Sequence, residues 1–216
     1  MTTPAFLDGA FINLAKTNTV YYVSWVVTVL VSVVLHELGH GMAALRQGDE
    51  TPRESGHMTL SPHVHMGPLS LILLFVIGIA WGQMPVNPAR FRSRHGDAIV
   101  SFAGPLVNVI LAVLGLTVLG LWLRFAPGSL SEGGFTFLWV FGSANIVLFL
   151  LNLIPIPPLD GSRVLANFSP PYRRFTADPN NQGAFFVAFI AVVLGATYLF
   201  DAAFWVSGKW VSILVG

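Results

Sequence analysis

The pentapeptide His36-Glu37-Leu38-Gly39-His40 sits inside an apolar run that extends from about Val20 to Leu45. Four residues make about one helical turn, so the two imidazoles project from one face and can grip a single zinc ion. Glu37 is offset around the helix but stays within reach of a water at that ion, where it can serve as a general base. On a soluble helix the same pattern is ambiguous. Inside a membrane span each ionisable group at the bilayer centre costs at least ~2.5–3.5 kcal/mol on insertion scales. Three such groups in five residues need a compensating partner. A metal ion supplies one; a mere polar kink in a helix bundle does not.

A catalytic zinc takes three protein ligands and keeps a fourth position open for water or substrate. The best candidate for the third ligand is Asp160, in the segment NLIPIPPLDG that runs from Asn152 to Gly161. Pro155, Pro157 and Pro158 break the preceding helix there and free backbone groups that an incoming peptide can use. An Asp-Gly pair alone is an ordinary turn. Its position distinguishes it, because it closes an apolar helix against which the histidine-bearing helix must pack. His40 lies six residues before Arg46, roughly 9 Å below the helix end at about 1.5 Å per residue. The expected metal is therefore nearer one membrane face than the bilayer centre.

The elements that must position these residues are apolar helices. The chain has 216 residues, of which 54% are hydrophobic and 10% charged, and its mean hydropathy is +0.71. Soluble domains carry about 25% charged residues, so the expected class is an all-α polytopic membrane protein, with residues 1–216 forming one domain. Eleven basic residues against ten acidic ones exclude nucleic acid as an expected partner. The absence of cysteine excludes disulfides, zinc ribbons and a cysteine nucleophile. The first twenty residues lack a basic start followed by a long apolar stretch; they read as a short amphipathic lead-in, not a cleavable signal peptide.

Four stretches are long and apolar enough to span a bilayer: Tyr21–Leu45, Ile99–Phe125, Phe135–Ile156 and Gly183–Val206. A fifth, Pro68–Met84, is short, interrupted by Gly78 and Gly82, and followed by MPVNP. Arg46 and Arg53 follow the first span, Arg90, Arg92 and Arg94 precede the second, and Arg163, Arg173 and Arg174 follow the third. Placing these loops together puts eight of the eleven basic residues on the cytoplasmic side, as the positive-inside rule expects. That placement requires Pro68–Met84 to be re-entrant, a device tolerated where irregular backbone is buried in protein or lines a cavity. It also brings the end of the third span to the depth of His36 and His40. Trp25, Trp122 and Trp139 then fall at the outer interface, where tryptophan is enriched. The expectation is about four full transmembrane helices, one re-entrant segment and short β-strands near the active site. The metal-binding core covers about 20–165 and the C-terminal helix about 183–206.

HELGH on a transmembrane helix, FAGPLVN at Phe102–Asn108 and NLIPIPPLDG, in that order, resemble the site-2 protease family of intramembrane zinc metalloproteases. The resemblance covers about Val20 to Leu165. It implies His36, His40 and Asp160 as ligands of one Zn2+ per chain, Glu37 as catalytic base and Asn152 as a substrate- or oxyanion-contacting residue. SPHVHMGP followed by MPVNPARFR resembles a compact subgroup without PDZ or CBS domains. That subgroup often carries an acidic residue where this chain has Gly67.

His63 and His65 read as strand neighbours on one face, and His65 as a possible second-shell group beside the metal. Asn108 reads as an interhelical hydrogen-bond donor, and Gly104-Pro105 as a site of close helix packing. The expected function is zinc-dependent hydrolysis of peptide bonds in or near transmembrane segments, with a membrane-protein substrate, a lipid bilayer as medium and an active site toward the cytoplasm of a cell (inner) membrane. An extended stretch between Gly56 and Pro62 is the expected holder of substrate by β-augmentation. Two rival readings are a zinc-handling transporter, which explains the histidines but not Glu37, and a non-catalytic membrane binding protein.

Overall fold

The computed structural model describes residues 11–216 and builds them from helices. In chain order these are α1 (Leu14–Thr17), α2 (Thr19–Arg46), α3 (Thr51–Glu54), α4 (Pro62–Ile77), α5 (Gly96–Phe125), α6 (Glu132–Asn152), α7 (Asp160–Phe168), α8 (Pro170–Ala177), α9 (Gln182–Leu194) and α10 (Ala196–Val215). The first half of the expected amphipathic lead-in, residues 1–10, lies outside the described residues. Three helices, α2, α5 and α6, are long and apolar enough to cross a membrane; the bent pair formed by residues 179–194 and α10 raises the number to four if it counts as one span.

Helix starts and stops follow local chemistry. The Asn18 side chain accepts from the backbone N–H of Tyr21 and opens α2, and the Ser131 side chain accepts from Gly134 to open α6. The α6 helix ends at Asn152, ahead of Pro155, Pro157 and Pro158. Lipid supplies little hydrophobic drive between helices, so close packing must hold the bundle. Val26, Val29 and Val33 of α2, Ala112 and Leu116 of α5, and Val140 and Ala144 of α6 form its core. A Cβ at Gly39 would lie 2.9 Å from the carbonyl oxygen of Ala103, so hydrogen is the only side chain that α2 can present to α5 there. Contacts of His40 with Val100 and of His36 with Asp160 set the directions. The α2 and α6 helices run the same way and α5 runs opposite, as the arginine distribution requires.

The segment expected to be re-entrant is a hairpin. Helix α4, broken at Gly67 where φ is +67°, rises along α2 until Gly78, whose φ of +78° suits glycine. The Trp25 indole donates to the Gly78 carbonyl at 2.8 Å and Phe11 packs against the turn. The chain then descends in extended form from 79 to 87. Trp81 pairs with the Ser70 hydroxyl through both its N–H and its carbonyl, and the Gln83 N–H donates to the His65 carbonyl at 3.0 Å. Both limbs thus return to the end of the bundle that holds His36 and His40. Trp25 is buried under this tip.

Two expectations are corrected. No β-strand occurs among the described residues. His63 and His65 lie on α4, which Pro62 opens, and the stretch from Gly56 to Pro62 is a set of bends leading into that helix. The extended limb 79–87 borders helices, so it has no ladder partner. The C-terminal element is also different: Gly195 divides it into α9, with no buried residue, and α10, whose buried Phe200, Ala203, Ser207 and Val211 carry it beyond Val206 to Val215.

The hairpin's lower end is held by Asp49, which is fully buried just after α2. Its carboxylate accepts from the N–H and hydroxyl of Thr51 and, at 2.6 Å, from the N–H of Asn87. Burial pushes the Asp49 carboxyl upward, but the donors from Asn87 and Thr51 outweigh it and hold it below its usual range. A depressed native value contributes stability above the unfolded value of about 3.9 that is lost as pH falls through the native one. Asp49→Ala strands buried N–H groups, each at about 1–3 kcal/mol. Thermal unfolding in detergent should show a lower midpoint for Asp49→Ala at pH 7, with the gap from wild type narrowing below about pH 4.

Candidate metal centre

Helix α2 presents His36 and His40 one turn apart, and the loop after α6 delivers Asp160 at the first position of α7. The two Nε2 atoms are 3.0 Å apart, and Asp160 Oδ2 lies 3.1 Å from that of His36 and 3.3 Å from that of His40. Bonds of about 2.0–2.1 Å in a tetrahedral zinc site separate ligand atoms by roughly 3.3 Å. The three atoms therefore already have the spacing of one face of such a site.

The proton inventory points the same way. His40 Nδ1 is 2.7 Å from the carbonyl oxygen of Val100. A carbonyl only accepts, so Nδ1 carries a hydrogen, and in the neutral ring Nε2 then turns a lone pair toward the other two groups. A lone pair facing a carboxylate and a second imidazole at such distances, in a buried pocket, calls for a cation. His36, Glu37 and His40 are all buried, and Asp160 is half-buried. Among the described residues this is the group of three that could hold a metal ion.

Glycines make the room. A Cβ at Gly104 would lie 2.5 Å from His36 Nε2 and would also strike His40 Nε2. The FAGP segment of α5 is thus the floor of the pocket as well as a packing contact. A Cβ at Gly82 would sit 2.6 Å from Glu37 Oε1. The extended limb therefore passes directly over the glutamate. Trp81 and Gln83 turn their N–H groups to α4, whereas the backbone N–H groups of Ala80, Gly82, Met84 and Val86 donate to no acceptor among the described residues.

Asn108 is an interhelical donor, giving its amide hydrogen to Asn145 at 3.0 Å. Its Oδ1 also lies 2.6 Å from His36 Nδ1, a contact that span-level reading does not reveal. Asn145 was missed altogether, although a buried amide in an apolar span is a signal in itself. Asn152 ends α6, and its amide donates back to the Leu148 carbonyl at 3.0 Å. His65 is fully buried with Nε2 2.7 Å from the Thr59 carbonyl. No hydrogen bond joins His65 to His36, His40 or Asp160 among the described residues; its backbone carbonyl, which receives Gln83, is what it lends to the site. His63 is exposed.

Comparisons with known proteins place the chain in a family. The family model described as peptidase family M50 matches residues 24–126 and 125–196. YwhC of Bacillus subtilis, named as a candidate zinc metalloprotease, is 40% identical over 151 residues, covering 68% of this chain and 69% of its own. Rip2 of Mycolicibacterium smegmatis, named in the same way, is 32% identical over 187 residues, covering 82% of this chain and 70% of its own. The zinc metalloprotease MJ0392 of Methanocaldococcus jannaschii is 28% identical over 148 residues, covering 68% of this chain and 35% of its own. No solved structure matches. With a helix-borne HExxH, a converging aspartate and a family match spanning most of its length, this multi-pass membrane protein belongs to peptidase family M50 and is a zinc metalloprotease.

Proposed function

We propose that the chain is an intramembrane endopeptidase that hydrolyses peptide bonds in or near transmembrane segments of membrane proteins. In this reading His36, His40 and Asp160 hold one Zn2+, and Glu37 is the catalytic base. The observation that carries it is the convergence of two imidazole nitrogens and a carboxylate oxygen at 3.0–3.3 Å, at one end of a bundle of membrane-spanning helices. Zinc held by these three residues would supply a Lewis acid for the scissile carbonyl and for the attacking water. Glu37 takes the proton of the attacking water on its carboxylate and later delivers it to the leaving amine nitrogen. The Asn152 amide has a second N–H beyond the one given to Leu148, and that hydrogen is the proposed contact to substrate or oxyanion.

A transmembrane helix hides its carbonyls in internal hydrogen bonds, so substrate must unwind before cleavage. The limb 79–87 supports a way to hold it: four unpaired N–H groups on one edge, beside Gly82 and Glu37, suit an added extended strand. This role belongs to that limb rather than to Gly56–Pro62. The buried His65 is a supporting residue at the limb's base. Positive-inside orientation then sets the metal end toward the cytoplasm of a cell (inner) membrane, with the hairpin entering and leaving on that side.

Purified wild type should carry about one zinc per chain, and His40→Ala should lose most of it by elemental analysis; full retention would sink the ligand assignment. Glu37→Gln removes basicity while keeping size. It should retain zinc yet cleave a membrane substrate at least about 100-fold more slowly in proteoliposomes. Undiminished cleavage would refute the mechanism, and zinc binding without cleavage by wild type would favour a metal-handling protein. The chain has no cysteine, so single cysteines report sidedness cleanly. Ala89→Cys and Ser169→Cys should label from one side and Ser131→Cys from the other; Ala89→Cys labelling with Ser131→Cys would mean that the hairpin crosses the bilayer.

A further inference from the structure

His40 has its tautomer set by one backbone carbonyl. His36 has no carbonyl at its Nδ1; it meets the Asn108 side chain, a group that can present either an acceptor or a donor. With Oδ1 toward His36, the ring keeps its hydrogen on Nδ1 and leaves Nε2 bare. With the amide reversed, NH2 would favour hydrogen on Nε2, the atom aimed at the metal. Something must hold Asn108 one way round.

The remaining contacts supply it. Asn108 Nδ2 donates to Asn145 Oδ1 at 3.0 Å, and Asn145 Nδ2 donates to the Phe141 carbonyl at 2.9 Å and to Ser32 Oγ at 2.8 Å. Asn108, Asn145 and Ser32 are completely buried. The Phe141 carbonyl cannot donate, so the Asn145 NH2 must face it. That leaves Asn145 Oδ1 as acceptor, turns the Asn108 NH2 toward it, and leaves Asn108 Oδ1 for His36. We infer that Asn145 is a positioning residue: through Asn108 it transmits the polarity of an α6 carbonyl to His36 and keeps Nε2 unprotonated for zinc. It touches neither metal nor substrate. A chain of buried amides with every member satisfied has one self-consistent direction, and reversing it strands donors in an apolar bundle.

This inference rests on His36 binding zinc through Nε2, and the test separates the two. The full chain in detergent, stripped by a chelator, is labelled with ¹⁵N-histidine, its imidazole tautomers are read by long-range ¹H–¹⁵N spectra, and its zinc affinity is measured by titration. Wild-type His36 should carry hydrogen on Nδ1. Asn145→Ala should give mixed tautomers and bind zinc about 10–100-fold more weakly, the usual cost of losing an outer-shell partner. Asn108→Ala cuts the same path at its nearer link, so it should also give mixed tautomers and weaker zinc binding, and adding Asn145→Ala to it should change affinity further by less than about threefold. Ser143→Ala, which removes the neighbouring 2.9 Å bond to Ser207, should leave the tautomer alone. If alanine's cavity prevents folding, Asn145→Val repeats the comparison with the volume filled. An unchanged tautomer and affinity in Asn145→Ala, or an equally large loss when Asn145→Ala is added to Asn108→Ala, would overturn the inference. Wild type with the assigned tautomer but no zinc binding would overturn the ligand reading instead.

Discussion

The burial of two bare imidazole nitrogens against a carboxylate, inside a bundle of apolar helices, is the constraint that the rest of the structure serves. Burial leaves these groups little solvation by water, and lipid offers them no hydrogen bonds. Their partners must come from the protein and from a cation. The α5 helix occupies the centre for this reason: its Val100 carbonyl and Asn108 amide receive the outer nitrogens of the two histidines, and Gly104 leaves space at the inner ones. The opposed direction of α5, between the parallel α2 and α6, lets its first turns meet the last turns of both neighbours.

The hairpin is the second structural solution. Irregular backbone is tolerated at membrane depth only where protein satisfies it, and each bend of the 62–87 segment has its own partner. Trp25 holds the tip, Ser70 and the His65 carbonyl hold the descending limb, and Asp49 holds its base. What stays unpaired is one edge of the limb, directly beside Glu37. A fixed, incompletely bonded edge next to the buried Glu37 carboxylate suits the proposed substrate, an unwound peptide that needs hydrogen-bond partners once its own helix opens.

Much of the site was legible in the residues themselves. HExxH has a fixed helical spacing, so His36 and His40 had to share a face. The prolines after Asn152 had to end α6. The loop arginines had to gather on one side, which forced the segment from Pro68 to Met84 to turn back. Helix spacing, proline geometry and charge partition are local or one-dimensional rules, and a chain obeys them wherever it packs. The C-terminal stretch shows their limit, because uniform apolarity carries no mark of where Gly195 divides it.

Other features depended on which residues meet across the bundle. The strand periodicity read into His63 and His65 gave way to a helix because Pro62 can start one and α2 offers a surface along which to pack it. The extended limb lay at 79–87 instead of Gly56–Pro62 because only there does the backbone descend past Glu37. Asn145, Asn108 and Asp49 are single polar residues with no motif of their own; their roles arise from partners 37 to 113 positions away in the chain. Spacing along one helix determined which groups could bind a metal. Contacts between helices decided which atoms carry the protons, since hydrogen-bond polarity is set by the partner across the interface and leaves no trace in either segment alone.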